Sequence, residues 1–204
     1  MRKAIGIDMD GCVTNFVHGF TKLANKVSHS APVLGSHYDM PEWEFRGWYI
    51  PDDNHLENIV LEDTWRLIKG SDSFWKYLTP QFPHDLDALV DTARTQPLVF
   101  ITRRDGVDAY GQTLSWLRNH GINEPLLVRV TGGEEKSSVC KALGIEVMVE
   151  DSPKYGAELI RAGVTLMMPE YDYNRQFIEE NYGAARPVQS LREGIHKAIM
   201  YVNH

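Results

Sequence analysis

An apolar run close to the N-terminus ends in Asp8-Met9-Asp10-Gly11. Read as a strand over residues 4–9, it brings two acidic side chains to one spot, because strand positions two apart point to the same side. Both carboxylates then emerge at the C-terminal tip. Buried carboxylates are costly unless a cation or hydrogen-bond donors compensate them. Gly11 allows a sharp turn that brings backbone N–H groups near a ligand. A divalent metal together with a phosphate satisfies all of these groups. The same residues also fit an ordinary strand and Asp-Gly turn, so the rest of the chain has to decide.

The remainder alternates between strand and helix periodicity. Helices are expected over 15–27, 56–68, 84–94, 110–120, 134–143, 154–162 and 190–201, and strands over 97–102, 126–130, 146–149 and 164–168. Strands separated by single helices imply βαβ units: an α/β, Rossmann-like core with a mostly parallel sheet and helices on both faces. Ligands of such sheets bind at the carboxyl ends of the strands. The unusual polar residues fall there: Asp8 and Asp10, Thr102-Arg103-Arg104, Thr131-Gly132-Gly133 and Glu150-Asp151-Ser152. Residues 28–73 break the rhythm. They contain Pro32, Pro41 and Pro51 and a dense aromatic set, Tyr38, Trp43, Phe45, Trp48 and Tyr49.

These residue types suit phosphoryl chemistry. A carboxylate at Asp8 can attack phosphorus and form an aspartyl-phosphate, splitting one hard displacement into two easier ones. Asp10 can protonate the leaving oxygen and then activate water. Asp151 adds a carboxylate from another strand, and hard oxygen ligands suit Mg²⁺. Glu150 competes for that place, but adjacent strand residues face opposite ways and Asp151 lies at the tip. Thr102 offers a hydroxyl and an N–H to a phosphate oxygen. Lys136 or Lys141 can neutralise both Asp8 and the phosphate. Five residues along a helix is roughly 140° of rotation, so one of the two faces the site, and Lys136 is nearer the strand end. Arg46 and Arg103 are further candidate substrate or phosphate contacts.

Composition narrows the partners. The chain has 204 residues and a net charge of −7, with no basic stripe, which argues against a nucleic-acid polymer as partner. No apolar stretch reaches membrane-spanning length, and residues 1–3 run into the first strand without a signal-peptide core. Cys12 and Cys140 make no disulfide framework, so a reducing cytoplasm is expected, with Cys12 a packing residue. The histidines lack metal-ligand spacing.

Taken together, Asp8-Met9-Asp10-Gly11, Thr102 after an apolar strand, Lys136 and Glu150-Asp151 resemble motifs one to four of the haloacid dehalogenase (HAD) superfamily of phosphohydrolases. The resemblance implies a Rossmann-like core with Asp8 as nucleophile. Asp10 would be acid/base and a Mg²⁺ ligand through its main-chain carbonyl, Thr102 and Lys136 would hold the phosphate, and Asp151 would bind Mg²⁺. Asp8 to Phe16, Phe74-Trp75 before Leu78-Thr79-Pro80, and Tyr173-Asn174-Arg175 resemble more narrowly the 5′(3′)-deoxyribonucleotidase family. That family often reads Thr-Ser-Pro at Thr102-Arg103-Arg104, and two aspartates at Glu150-Asp151.

On this resemblance, residues 1–16 and 80–204 form the catalytic core. Residues 17–79 form a small, mainly helical cap inserted between motifs one and two. Phe16, Phe45, Trp48 and Tyr49 can stack on a flat base. The expectation is a Mg²⁺-dependent phosphomonoester hydrolase, foremost a 5′-nucleotidase acting on (deoxy)ribonucleoside monophosphates, with a homodimer compatible. Two alternatives stand beside it: a phosphatase for another small ester such as a sugar phosphate, and a catalytically silent phosphate- or nucleotide-binding protein. A dehalogenase would require neither a metal nor Asp10 and Asp151.

Overall fold

The computed structural model describes residues 2–27, 55–131 and 135–203. Six strands form one sheet: β1 (Ile5–Ile7), β2 (Leu98–Thr102), β3 (Leu126–Arg129), β4 (Val147–Val149), β5 (Thr165–Pro169) and β6 (Ala185–Val188). Their spatial order is β3-β2-β1-β4-β5-β6, and every pairing is parallel. The central β1 pairs Ile5 with Leu98 on one side and Gly6 with Met148 on the other. From β1 the chain winds outwards through β2 and β3, then returns to wind the opposite way through β4, β5 and β6. That reversal opens a crevice at the carboxyl ends of β1 and β4, the point that Asp8 and Asp151 follow.

The core is split by the sheet, as the pleat dictates. On one face Ile5, Ile7, Leu98, Phe100, Val147 and Val149 pack with Leu89, Trp116 and Leu117 and with Leu191, Ile195 and Ala198. These come from helices α3 (Leu86–Thr95), α4 (Ala109–Asn119) and α8 (Leu191–Val202). On the other face Val99, Ile101, Met148, Leu166 and Met168 meet Cys140, Leu159 and Ile178, from α5 (Lys136–Leu143), α6 (Pro153–Arg161) and α7 (Arg175–Glu180). Buried on both faces, the strands read as continuous apolar runs, which is why the sequence pattern found most of them.

Two elements escape the sequence reading. The edge strand β6, Ala-Arg-Pro-Val, contains Pro187 and is buried only at its two ends. Proline lacks an N–H and weakens any strand signal, yet an edge tolerates it. Helix α7 is six residues long, too short for a helical period. Both cysteines are buried and free. No helix among the described residues is long and apolar enough to cross a membrane.

Between β1 and β2 lie α1 (Phe16–Val27) and α2 (His55–Gly70), whose positions match the helices expected over 15–27 and 56–68. They share a separate cluster: Phe20, Ala24, Val60, Ile68, Trp75, Leu78 and Ala109 are buried, with Phe16, Leu23, Trp65 and Phe74 packed against them. Residues 28–54, and with them the candidates Phe45, Trp48, Tyr49 and Arg46, lie outside the described residues.

The return segment is anchored to the core. Trp116 is completely buried, and its indole N–H donates to the Leu78 carbonyl at 2.7 Å. Thr79 and Gln81 pair with Asn15 and Val13 through the backbone. Replacing Trp116 with Phe keeps a ring but leaves the carbonyl unpaired beside a small void. The expected loss is about 1–3 kcal/mol, read as a lower urea midpoint at unchanged slope.

Candidate active site

Asp8 follows β1 directly, and its N–H donates to the Val149 carbonyl at 2.9 Å, locking it to the neighbouring strand. The next turn is tight. Gly11 sits at φ +78°, and a Cβ there would overlap the Asp151 carboxylate. Glycine therefore serves both the left-handed backbone and the close approach of the loops after β1 and β4.

Lys136 opens α5 and is about 1% exposed. Its ammonium lies 2.8 Å from Asp8 Oδ1 and 2.7 Å from Glu150 Oε2. Glu150 also accepts the Ser152 N–H at 3.0 Å through its second oxygen. Both Glu150 oxygens are thus engaged in holding Lys136 and the turn after β4. Asp151 is differently placed: the Tyr173 hydroxyl donates to Oδ2, while Oδ1 has the Cys12 thiol 3.9 Å away. Asn174 Nδ2 donates to the Asp151 carbonyl at 2.9 Å, fixing the loop from beneath.

Carboxylate oxygens of Asp8, Glu150 and Asp151 lie within 4.8 Å of one another. Burial pushes all three up to about 7. Lys136 opposes the rise at Asp8 and Glu150, and the charge of Asp8 adds to it at Asp151. Burial by itself would lower the Lys136 ammonium, but Asp8 and Glu150 outweigh it and hold the group above its ordinary value. Burial, then the Asp151 charge, raises the Cys12 thiol well above its usual range. It is not a reactive thiolate, in keeping with a packing role.

Facing these groups, Thr102 ends β2. Its buried hydroxyl has no hydrogen-bond partner among the described residues. Such an orphan is costly unless something else meets it. Asp8, Asp10, Thr102, Arg103, Lys136 and Asp151 all line one pocket of about 460 Å³. Arg103 is exposed at its rim and hydrogen-bonds the Tyr155 side chain. The Tyr155 ring in turn lies 4.5 Å from the Lys136 ammonium. The pocket's apolar wall is Phe16, Trp65 and Trp75. Phe16 is already stacked, with ring centroids 5.7 Å from both Trp65 and Trp75 and tilts of 26° and 18°.

Sequence reasoning assigned no role to three participants. Tyr155 carried no motif, and Tyr173 stood in a motif of the narrower resemblance without a role of its own. Arg104 was passed over in favour of Arg103, although period-two alternation after Thr102 puts residue 104 on the Thr102 side. Arg104 is completely buried and grips Asp10 with a two-pronged ion pair of 2.6 and 3.0 Å.

The buried, all-oxygen donor set fits a hard divalent cation. With Glu150 committed to Lys136 and Ser152, Asp8 and Asp151 are the carboxylates placed to hold one. Thr102 and Lys136 stand where an anion bound beside it would be met.

The fold of the whole chain is shared with known structures. A HAD family hydrolase from Deinococcus radiodurans, solved with bound phosphate and sodium, matches with TM-score 0.59 and 18% identity over 99% of this chain and 96% of its own. A protein from Clostridium acetobutylicum described as a predicted phosphatase matches with TM-score 0.63 and 14% identity over 98% and 99%. A haloacid dehalogenase-like family hydrolase from Streptococcus pneumoniae gives 0.59 and 13% over 96% and 98%. The chain has the haloacid dehalogenase-like fold. No family model matches the sequence, and no curated protein is similar to it.

The raised carboxylates predict how this site responds to pH. Each holds its proton more tightly when folded than the ordinary value of about 4, so their contribution is favourable below that value and lost as pH rises towards 7. Without metal, Tm should fall across this window. Mg²⁺ at 100 times its Kd should restore about 2.7 kcal/mol at pH 8 and almost nothing at pH 4. Asp151→Asn should stabilise the metal-free protein at pH 8 and abolish the Mg²⁺ shift, with Glu150→Gln weakening metal binding less. Scanning fluorimetry against pH and MgCl₂ checks all of this.

Proposed function

We propose that the protein is a Mg²⁺-dependent phosphomonoester hydrolase working through an aspartyl-phosphate on Asp8. The observation that carries this reading is the convergence of three groups on one pocket. They are the Asp8 carboxylate, the Lys136 ammonium 2.8 Å from it, and the unpartnered Thr102 hydroxyl. A nucleophile, a fixed cation and an idle donor around one cavity suit a phosphate more than any neutral substrate.

In this mechanism Lys136, Thr102 and Arg103 hold the phosphate oxygens while Asp8 attacks phosphorus. The bond from phosphorus to the ester oxygen breaks as the bond to Asp8 forms. Asp10 gives a proton to the departing oxygen. A water then attacks the aspartyl-phosphate, Asp10 takes its proton, and Asp8 is released with inorganic phosphate. Asp8, Asp151 and the Asp10 carbonyl would hold Mg²⁺, which offsets the repulsion between carboxylates and phosphate.

Within this class we favour a nucleoside 5′-monophosphate as substrate and residues 17–79 as the cap that selects it. The aromatic wall of Phe16, Trp65 and Trp75 supports the choice, as does the sequence resemblance. Phe16 already stacks on two indoles, so it acts as part of a wall rather than as a lone platform, and Trp65 on α2 is the sharper probe. Losing one base–aromatic contact costs about 1–3 kcal/mol. Trp65→Ala should therefore lower kcat/KM for a deoxyribonucleoside monophosphate about 5- to 150-fold and spare p-nitrophenyl phosphate. Equal loss on both would mean that Trp65 only packs the aromatic cluster, leaving the nucleotide reading on the sequence resemblance alone.

Phosphate release with Mg²⁺, measured over a panel of nucleoside and sugar monophosphates, tests the reaction itself. Asp8→Asn should abolish turnover in a folded protein, and beryllofluoride should bind the wild type alone. Substantial turnover in Asp8→Asn would remove the covalent mechanism. No turnover by the wild type on any ester would leave a phosphate-binding protein.

A further inference from the structure

Arg104 has no part in the mechanism above, yet its surroundings are unusually well built. Its side chain is 0% exposed, whereas the Asp10 side chain it grips is 21% exposed and lines the pocket. Nε donates to Asp10 Oδ2 at 3.0 Å and Nη2 to Asp10 Oδ1 at 2.6 Å. Nη2 also reaches Thr14 Oγ1 at 2.6 Å, and Nη1 reaches Thr113 Oγ1 on α4 at 3.0 Å. Thr14 Oγ1 donates to the same Asp10 oxygen at 2.8 Å. The guanidinium lies 4.9 Å from the Trp75 ring centroid, against the back of the aromatic wall.

A fork with every prong occupied and a ring against it has little freedom to move. Two parallel bonds fix a carboxylate in position and in rotation, which a lysine ammonium does not do. The end of the pair that meets the pocket is the carboxylate, and the buried end is the anchor. If the pair served stability alone, the site would gain nothing from having its acidic end in the cavity, and a buried ion pair is weak evidence of stability in any case.

We infer that Arg104 is a positioning residue: its buried fork sets the rotamer of Asp10, and so the line along which Asp10 meets the leaving oxygen. The inference rests on the phosphatase reading. A misplacement of about 1 Å in such a group is enough to cost on the order of 100-fold. Read as kcat/KM, which reports only the steps up to departure of the leaving group and not the later hydrolysis common to all esters, the effect should fall on esters whose leaving oxygen needs a proton, and largely spare those whose leaving group departs as a stable anion.

The test compares wild type, Arg104→Gln, Arg104→Lys, Asp10→Asn and the double variant Arg104→Gln/Asp10→Asn, each checked for folding by circular dichroism. Two substrates are used: a deoxyribonucleoside 5′-monophosphate, which leaves as an alkoxide, and p-nitrophenyl phosphate. For Arg104→Gln and Arg104→Lys, kcat/KM on the nucleotide should fall about 100-fold. The aryl ester should lose much less, and the double variant should be no slower than Asp10→Asn.

Equal losses on both substrates, with the double variant slower than Asp10→Asn by the full Arg104 factor, would make Arg104 a purely structural residue and overturn the inference. If the Gln variant does not fold, Arg104→Lys keeps the charge and stem and decides, and a wild-type nucleotide rate there also overturns it. Crystal structures of wild type and Arg104→Lys give a readout independent of turnover: the Asp10 carboxylate should take a different rotamer in the variant. If the wild type hydrolyses no ester, the phosphatase reading falls. The rotamer comparison then decides alone, with an unmoved Asp10 refuting the role of Arg104.

Discussion

Everything at the carboxyl end of this sheet is arranged around one buried ammonium. Lys136 is 1% exposed and is in contact with two carboxylates that are themselves buried. Desolvating such a group costs several kcal/mol, and attraction to its partners only partly offsets the cost. A fold selected for stability alone would do as well with apolar residues of similar volume. The ammonium also falls short of neutralising its surroundings. With Asp8, Glu150 and Asp151 ionised, two negative charges stay uncompensated in a space where carboxylate oxygens lie within 4.8 Å. Strongly perturbed groups gathered in a cleft are the mark of a working site, and the excess charge is what a divalent cation would offset.

The scaffold holds this charge by tying down each loop that carries it. Tyr171 donates to the Gly11 carbonyl at 2.7 Å and accepts from Gln81 at 2.9 Å. Its ring stacks on Tyr173 at 5.2 Å, and Tyr173 bonds Asp151. Asn174 completes the clasp with bonds to the carbonyls of Asp151 and Pro169. The loop after β5 thus braces the loops after β1 and β4 and reaches the segment returning from α2. Like-charged groups that would drive these loops apart are held together by neutral donors, which add no charge of their own.

Most of the site was legible because it obeys one rule: in a doubly wound sheet, chemistry follows the strand ends. The runs 97–102 and 146–149 end at Thr102 and at Glu150-Asp151, and their buried, two-faced strands left a clear apolar signature. Helical rotation lets only one of Lys136 and Lys141 face the site, nearness to the strand end selects Lys136, and Lys136 is the one beside Asp8. The failures have physical causes too. β6 carries a proline tolerable only at an edge. Tyr155 acts through where the fold places it, and tyrosine is too common in cores to signal a site; Tyr173 was marked only by the narrower resemblance, with no role attached. Arg104 was overlooked because nothing near it in the sequence announces a partner for a buried guanidinium. Its counter-charge, Asp10, lies 94 positions away in sequence.

The division of labour between strand ends and helices explains how the two halves of the pocket differ. Asp8, Thr102 and Asp151 terminate buried strands whose register is set by the whole sheet, so their spacing cannot drift without cost across the core. Phe16, Trp65 and Trp75 belong to a separate aromatic cluster on α1, α2 and the turn after them, joined to the core by Trp116, Gln112 and a few backbone bonds. Aromatic stacking depends weakly on exact geometry, whereas in-line attack on phosphorus depends on it strongly. On the proposed function, the part of the molecule that would have to be exact is built on the sheet, and the part that would meet a flat apolar surface sits on helices. Arg104 spans the two. It bonds Asp10 on one side and lies against Trp75 on the other, so the group that would handle the proton is referenced to the wall against which the substrate would rest.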